Sequence, residues 1–155
     1  LVSISINENE IKAIDTFKHI GFVSPYLQLY DEFTAVENLE IFAKVRSLNI
    51  KREFILDLLK RVNLYDRRVD FVRTYSSGMK QRLKYTFALL HQPELLILDE
   101  PRSNLDAEGI SIVYEIIKEQ KQKGATLIAT NDSEDLLLCE NVINLDDQKN
   151  NMNKH

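Results

Sequence analysis

Tryptophan is absent from this chain of 155 residues, and cysteine, proline and glycine are scarce at one, three and four residues. The lone Cys139 cannot form an intramolecular disulfide, so a reducing compartment fits best. None of the four glycines (Gly21, Gly78, Gly109, Gly124) belongs to a G-x-x-x-x-G-K-[ST] loop, which excludes the lysine-bearing phosphate cradle from these residues. No apolar run approaches the roughly 20 residues that span a bilayer. The longest stretches, such as Leu95–Leu98, have the length of a buried strand. The opening Leu1–Ile6 has no basic flank followed by an apolar core, so it does not read as a secretory signal. It also lacks a methionine and starts within a strand-like alternation, which suggests a chain cut from a longer one. A net charge of −4 and a pI near 5.4 argue against a nucleic-acid partner. What remains is 44% hydrophobic and 28% charged residues, the balance of one soluble domain able to bury a core without staples.

Val2, Ile4 and Ile6 alternate with polar neighbours, predicting a strand, and Asn7-Glu8-Asn9 predicts a turn. Ile20–Val23 is a second short apolar run, and residues 26–33 read as a polar and aromatic loop. Thr34-Ala35-Val36-Glu37 has the form of a capping box, followed by Val36, Leu39, Phe42 and Ala43 at helical spacing. A second amphipathic helix after Lys51 carries Phe54, Ile55, Leu58, Leu59 and Val62. From residue 74 onward helical and strand-like segments alternate. Helices are predicted at about 77–90 and 106–123, with a short one at 133–139. Strands are predicted at 95–98, 126–130 and 142–145. Leu95-Leu96-Ile97-Leu98 is apolar throughout, as expected of a parallel strand covered on both faces. Gly124 stands where a glycine C-cap belongs. Such alternation implies right-handed crossovers and a mostly parallel sheet. The polar segment 146–155 is expected to be disordered.

Two stretches carry chemistry. In Leu95-Leu96-Ile97-Leu98-Asp99-Glu100-Pro101, a buried strand ends in adjacent carboxylates, at the edge where parallel α/β sheets bind ligands. The repulsion between them calls for a cation, and Mg²⁺ prefers such hard oxygens. Asp99 then holds Mg²⁺ through its water shell, and Glu100 polarises an attacking water. In Tyr75-Ser76-Ser77-Gly78-Met79-Lys80-Gln81-Arg82-Leu83, small residues lead into a helix whose free N–H groups suit a phosphate. Simple capping by Ser76 is the plainer reading of that stretch alone.

Taken together these stretches resemble the ABC ATPase family. The likeness continues in Ser103-Asn104-Leu105-Asp106, similar to the family's D-loop. It extends through Ile20–Leu39, similar to the region of its Q-loop, and through Leu127–Asp132, similar to its switch loop. The resemblance implies a P-loop NTPase-like α/β fold over residues 1–145, a mostly parallel sheet with flanking helices lacking the N-terminal phosphate-loop part. A small helical subdomain would occupy about 34–75. It implies ATP and Mg²⁺ as ligands and a head-to-tail dimer with a second ATP-binding subunit. It also implies transmembrane partners and a place on the cytoplasmic face of the membrane. Ser76, Ser77 and Gly78 would face the γ-phosphate of ATP held by the partner, and Asp106 would couple the two sites. The expected function is ATP hydrolysis that drives a transporter through dimer closure; the 155 residues alone, lacking the phosphate loop, are expected to bind ATP poorly.

The chain departs from the family pattern at several places. The Q-loop glutamine position falls on Pro25, with Gln28 nearby as a substitute. The switch histidine position holds Asn131, an amide that can hydrogen-bond a phosphate but carries no charge. Met79 stands for a glutamine, Ser77 for a glycine, and Arg102 for a small residue. These departures keep open a catalytically weak regulatory subunit, which the intact Asp99-Glu100 pair opposes. A soluble, non-transport ABC ATPase is the third reading, though no coiled-coil insertion or basic surface marks it. His19 and His91 read as structural. Tyr26 and Tyr30 read as local packing or as contacts to a membrane partner.

Overall fold

The uniformly apolar Leu95–Leu98 forms the heart of the middle strand in a three-stranded parallel sheet. A computed structural model describes residues 4–6 and 9–145. Its sheet has β3 (Ile20–Val23), β4 (Leu95–Asp99) and β5 (Ala125–Ala129) in the order β3-β4-β5. The register runs Phe22↔Ile97↔Leu127 across the sheet. A separate antiparallel pair joins β1 (Ile4–Ile6) to β2 (Asn9–Ile11). Of the opening strand, Val2 lies outside the described residues, and of the turn, Asn7 and Glu8 do too. The polar segment 146–155 also lies outside them.

Three helices build the layer beside the sheet: α1 (Ala35–Val45), α2 (Arg52–Arg61) and α3 (Ser77–Leu89). The capping box at the start of α1 forms as read. Thr34 Oγ1 accepts from Glu37 N at 3.2 Å, and Glu37 Oε2 accepts from Thr34 N at 2.8 Å. Replacing such a cap by alanine typically costs about 1 kcal/mol. Leu39 of α1, Ile55, Leu58 and Leu59 of α2, and Leu83 and Phe87 of α3 join one buried cluster with Val23, Leu96 and Leu98 of the sheet. Helix α4 (Ala107–Gln120) adds Val113, Ile116 and Ile117 to the same cluster. No helix of the described residues is long and apolar enough to cross a membrane.

Four sequence expectations need correction. The strand β4 is covered on one face: Leu96 and Leu98 are fully buried, while Leu95 and Ile97 are partly exposed. Among the described residues, no element covers the row Phe22, Ile97 and Leu127, and Phe22 and Leu127 are about half exposed, at 49% and 57%. Second, Gly124 is not a left-handed cap, because no glycine has positive φ. A Cβ there would lie 2.0 Å from Glu94 O, so close backbone approach is what requires glycine. The left-handed closures fall instead on Ser47 (φ 54°) and Asn63 (φ 53°) after α1 and α2. There Leu48 N donates to Ala43 O and Leu64 N to Leu59 O, each at 2.8 Å, the pattern of a Schellman end. Third, residues 142–145 form no strand: among the described residues no ladder continues beyond β5, and a short apolar run without a paired edge stays irregular. Fourth, the short helix at 133–139 shrinks to a 3₁₀ turn at Asp135–Leu138.

His91 joins the layers. Its Nε2 donates to Ile20 O at 3.0 Å, while Nδ1 lies 3.5 Å from Arg46 Nη1 and accepts from it. This tautomer is neutral, and burial, reinforced by the Arg46 cation, holds the His91 pKa below its usual value. The unfolded chain therefore takes up a proton more readily than the folded one. Stability from this site is complete above the ordinary histidine pKa near 6.5 and is lost as pH falls below it. Urea midpoints of wild type and His91→Asn at pH 7.5 and 5.5 check this. The wild type is expected to lose more on acidification than the variant; equal losses would remove His91 from the acid response.

Candidate functional site at the carboxyl edge of the sheet

Parallel pairing sets the carboxyl ends of β3, β4 and β5 side by side, so the residues that follow them meet at one edge. Ser24, one residue past β3, donates through Oγ to Asp99 Oδ2 at 3.0 Å. Ser24 is itself 5% exposed and accepts from Tyr26 N at 3.3 Å, which fixes the start of the 24–33 loop. Asp99 is the last residue of β4 and is half-buried. Glu100 follows with φ 49°, a left-handed conformation that costs a side-chain-bearing residue energy. Its N–H still donates to Ala129 O at 2.9 Å, extending the β4–β5 ladder by one residue. The Glu100 carboxylate accepts two bonds from Asn131, from its backbone N and its Nδ2, both at 3.2 Å. Three strand ends thus present a hydroxyl, two carboxylates and an amide in one row.

The predicted phosphate-facing stretch lies at the start of α3. Ser76 and Ser77 are exposed, and Ser76 Oγ accepts from Met79 N at 3.2 Å, so the plainer capping role is present. Gly78 sits against the turn after β4, since a Cβ there would approach Asn104 O at 3.0 Å. Tyr85 Oη, fully buried on α3, donates to Pro101 O at 2.8 Å and ties the helix to that same turn. Asp106 caps α4 by accepting from Gly109 N at 2.8 Å, its side chain otherwise facing outward. Gln28 does not join the row; it is exposed and makes no hydrogen bond among the described residues.

Three residues enter that the sequence reading missed or passed over. Ser24 stands where Gln28 was expected. Lys84 of α3 is 8% exposed, its Nζ donating to Ser24 O at 3.3 Å and to Pro25 O. Burial pushes its pKa down. Arg102 reaches the loop after β5 through Nη1 and Nη2, which donate to Glu134 and Asp132. A serine next to a strand end carries no signal alone; only the β3–β4 pairing reveals it.

Among the described residues no group of three or more His, Cys, Asp or Glu is gathered to hold a metal ion. The edge offers one hydroxyl-backed carboxylate with a second one residue on. Such an oxygen set fits Mg²⁺ that keeps most of its water and arrives with phosphate ligands.

A family model described as ABC transporter matches residues 3–103, well over half the chain. The chain belongs to the ABC transporter ATP-binding family. Among ABC relatives, it is 35% identical over 141 residues to an uncharacterized ABC transporter ATP-binding protein, YybJ, of Bacillus subtilis, covering 89% of this chain and 64% of that one. It is 38% identical over 136 residues to the lipoprotein-releasing system ATP-binding protein LolD 1 of Caulobacter vibrioides, covering 84% and 58%. The chain therefore spans less than two thirds of the length of these ABC relatives. The structure of an ATP-binding subunit of an ABC transporter superposes with a TM-score of 0.72 at 26% identity, covering 96% of this chain and 69% of that one. A dimeric ATP-binding cassette in a post-hydrolysis state with ADP and Pi superposes at 0.73 with 21% identity, covering 89% and 66%, and shares the fold. The α/β arrangement is that of a P-loop NTPase.

Proposed function

We propose that this chain is the larger part of an ATP-hydrolysing subunit of an ABC-type transporter, acting on the cytoplasmic face of a membrane. The row Ser24, Asp99, Glu100 and Asn131 carries the reading. It places a metal-compatible carboxylate beside a second carboxylate whose direction is fixed by two N–H donors. ATP and Mg²⁺ supply the scissile phosphoanhydride and the charge that offsets its oxygens. Asp99, oriented by Ser24, would hold a bound Mg²⁺ through water. Glu100 accepts a proton from the attacking water at its free carboxylate oxygen. Asn131 holds Glu100 and presents an amide to the γ-phosphate. Because no phosphate loop lies within these residues, the reading requires one from an upstream segment.

Ser76, Ser77 and Gly78 serve the other half of a head-to-tail dimer, closing on the γ-phosphate bound to the partner. The exposure of Ser76 and Ser77 at the start of a helix supports this role. Asp106, on the turn that Gly78 touches, couples the two sites. The transmembrane partner meets the loop at 24–33, where Tyr26 and Tyr30 are exposed at 84% and 60%. Tyr30 stacks edge-on against Phe33, and Phe33 O accepts from Val72 N, so Phe71 borders the same aromatic surface. Buried Asn38 braces the loop by accepting from Tyr30 N and donating to Tyr30 O, both at 2.9 Å.

Asn131 favours a second reading, a regulatory subunit that binds nucleotide and hydrolyses slowly. Its amide cannot carry the charge of an imidazolium. Measuring Mg-ATP binding and hydrolysis with and without the upstream segment separates the cases. Turnover with the segment, and weak ATP binding without it, is expected. Binding without turnover would support the regulatory reading, and neither activity would overturn both.

A further inference from the structure

Arg102 stands two residues beyond Glu100 and is the most heavily engaged cation of the described residues. Its Nη1 donates to Tyr114 Oη at 3.0 Å and to the Glu134 carboxylate, and its Nη2 to Asp132. Its Nε lies 3.3 Å from Asp135 Oδ1. The arginine side chain is only 16% exposed, and that of Asp135 only 1%. One guanidinium therefore faces three carboxylates from a single loop and a hydroxyl from α4.

Those carboxylates follow Asn131 closely in sequence and, with Thr130 before it, belong to one hydrogen-bonded turn. Asp135 Oδ2 accepts from Thr130 Oγ1 at 2.7 Å, and Thr130 Oγ1 accepts from Asp132 N at 3.0 Å. Asp132 Oδ1 in turn accepts from Glu134 N at 2.9 Å. Residues 130–135 are thus wound into one turn whose acids all converge on Arg102. Asn131, the second residue of this segment, donates from Nδ2 to Glu100 Oε1. Without the guanidinium, three like charges would crowd together, one of them buried, and the turn would open to hydrate them.

We infer that Arg102 is a positioning residue: it clamps the turn after β5 so that Asn131 holds the Glu100 carboxylate in its working direction. This rests on the hydrolytic reading of Glu100 given above. The planar fork is what the task needs. A lysine at the same place offers a point charge that cannot face three carboxylates and a hydroxyl at once.

The test uses the complete subunit carrying the phosphate loop and reads two quantities. Arg102→Ala is expected to speed amide exchange across residues 130–135 and to lower kcat roughly 10- to 100-fold, the scale of a misplaced reacting group. KM for ATP is expected to stay within about threefold, because the substrate-holding loop lies elsewhere. Arg102→Lys should recover part of kcat. The exposed Glu134→Gln removes one arm without threatening the core, so it reports even if Arg102→Ala fails to fold; faster exchange and a smaller fall in kcat are expected. Unchanged exchange in these variants overturns the clamp. Faster exchange with unchanged kcat overturns the positioning role. A wild type without turnover, in which exchange still responds to residue 102, sinks the hydrolytic reading and spares the clamp.

Discussion

Glu100→Gln is expected to lower ATP turnover of the complete subunit by about three orders of magnitude, within the range general-base catalysis contributes, and to leave nucleotide binding intact. The exchange is nearly isosteric. Glutamine keeps a carbonyl oxygen for the two N–H groups of Asn131, so the local geometry survives. What disappears is the second carboxylate oxygen and its capacity to take a proton. A dimer closed on ATP should then accumulate, because closure depends on binding and reopening on hydrolysis. Steady-state hydrolysis and size-exclusion chromatography with Mg-ATP check the two parts. Turnover at the wild-type rate would remove Glu100 from the base role.

Gly124→Ala is expected to destabilise the fold by roughly 3 kcal/mol or more, the upper end of overpacking costs. The new methyl would sit 2.0 Å from Glu94 O and 2.8 Å from Glu94 C, both backbone atoms. A side chain could rotate away; this carbonyl cannot, since it accepts from Ala125 N at 2.8 Å and begins the β4–β5 pairing. Gln120, buried at the end of α4, adds a bond from Nε2 to Pro93 O at 2.9 Å and pins the same corner. Relief must therefore come from moving β5 as a whole, which carries Asn131. For a domain of this size the loss corresponds to a Tm fall of about 10 °C. A Tm within two degrees of wild type, a shift worth less than about 1 kcal/mol, would mean that the corner has slack.

Much of this was legible in the sequence because it depends on near neighbours. The Thr34–Glu37 box, the apolar spacing of α1 and α2, and the acids ending Leu95–Leu98 are local patterns. These elements formed within a few residues of their expected bounds. The lost features depend on distant partners. Ser24 meets Asp99 only because β3 and β4 pair, and Arg102 finds its acids only because β4 and β5 do. Read locally, Gln28 was the better hydrogen-bonding candidate and Arg102 merely an odd replacement. Gly124 shows the same limit from the other side. Its place after a helix suggested a left-handed cap, whereas contact with Glu94 dictates it. The helix end at Ser47 went unread because serine does not normally advertise such a turn, while Asn63 carried a signal that was passed over. Asn131 was flagged through the family resemblance, though its grip on Glu100 was not.

Glu100 stands in a conformation that glycine would adopt freely. Holding any side chain there costs on the order of 1 kcal/mol, and the fold gains only two solvent-exposed hydrogen bonds to Asn131 in return. A selection that rewards only heat resistance would therefore favour glycine at this position, and would disarm the proposed chemistry in the same step. Robustness and reactivity pull against each other at one backbone angle.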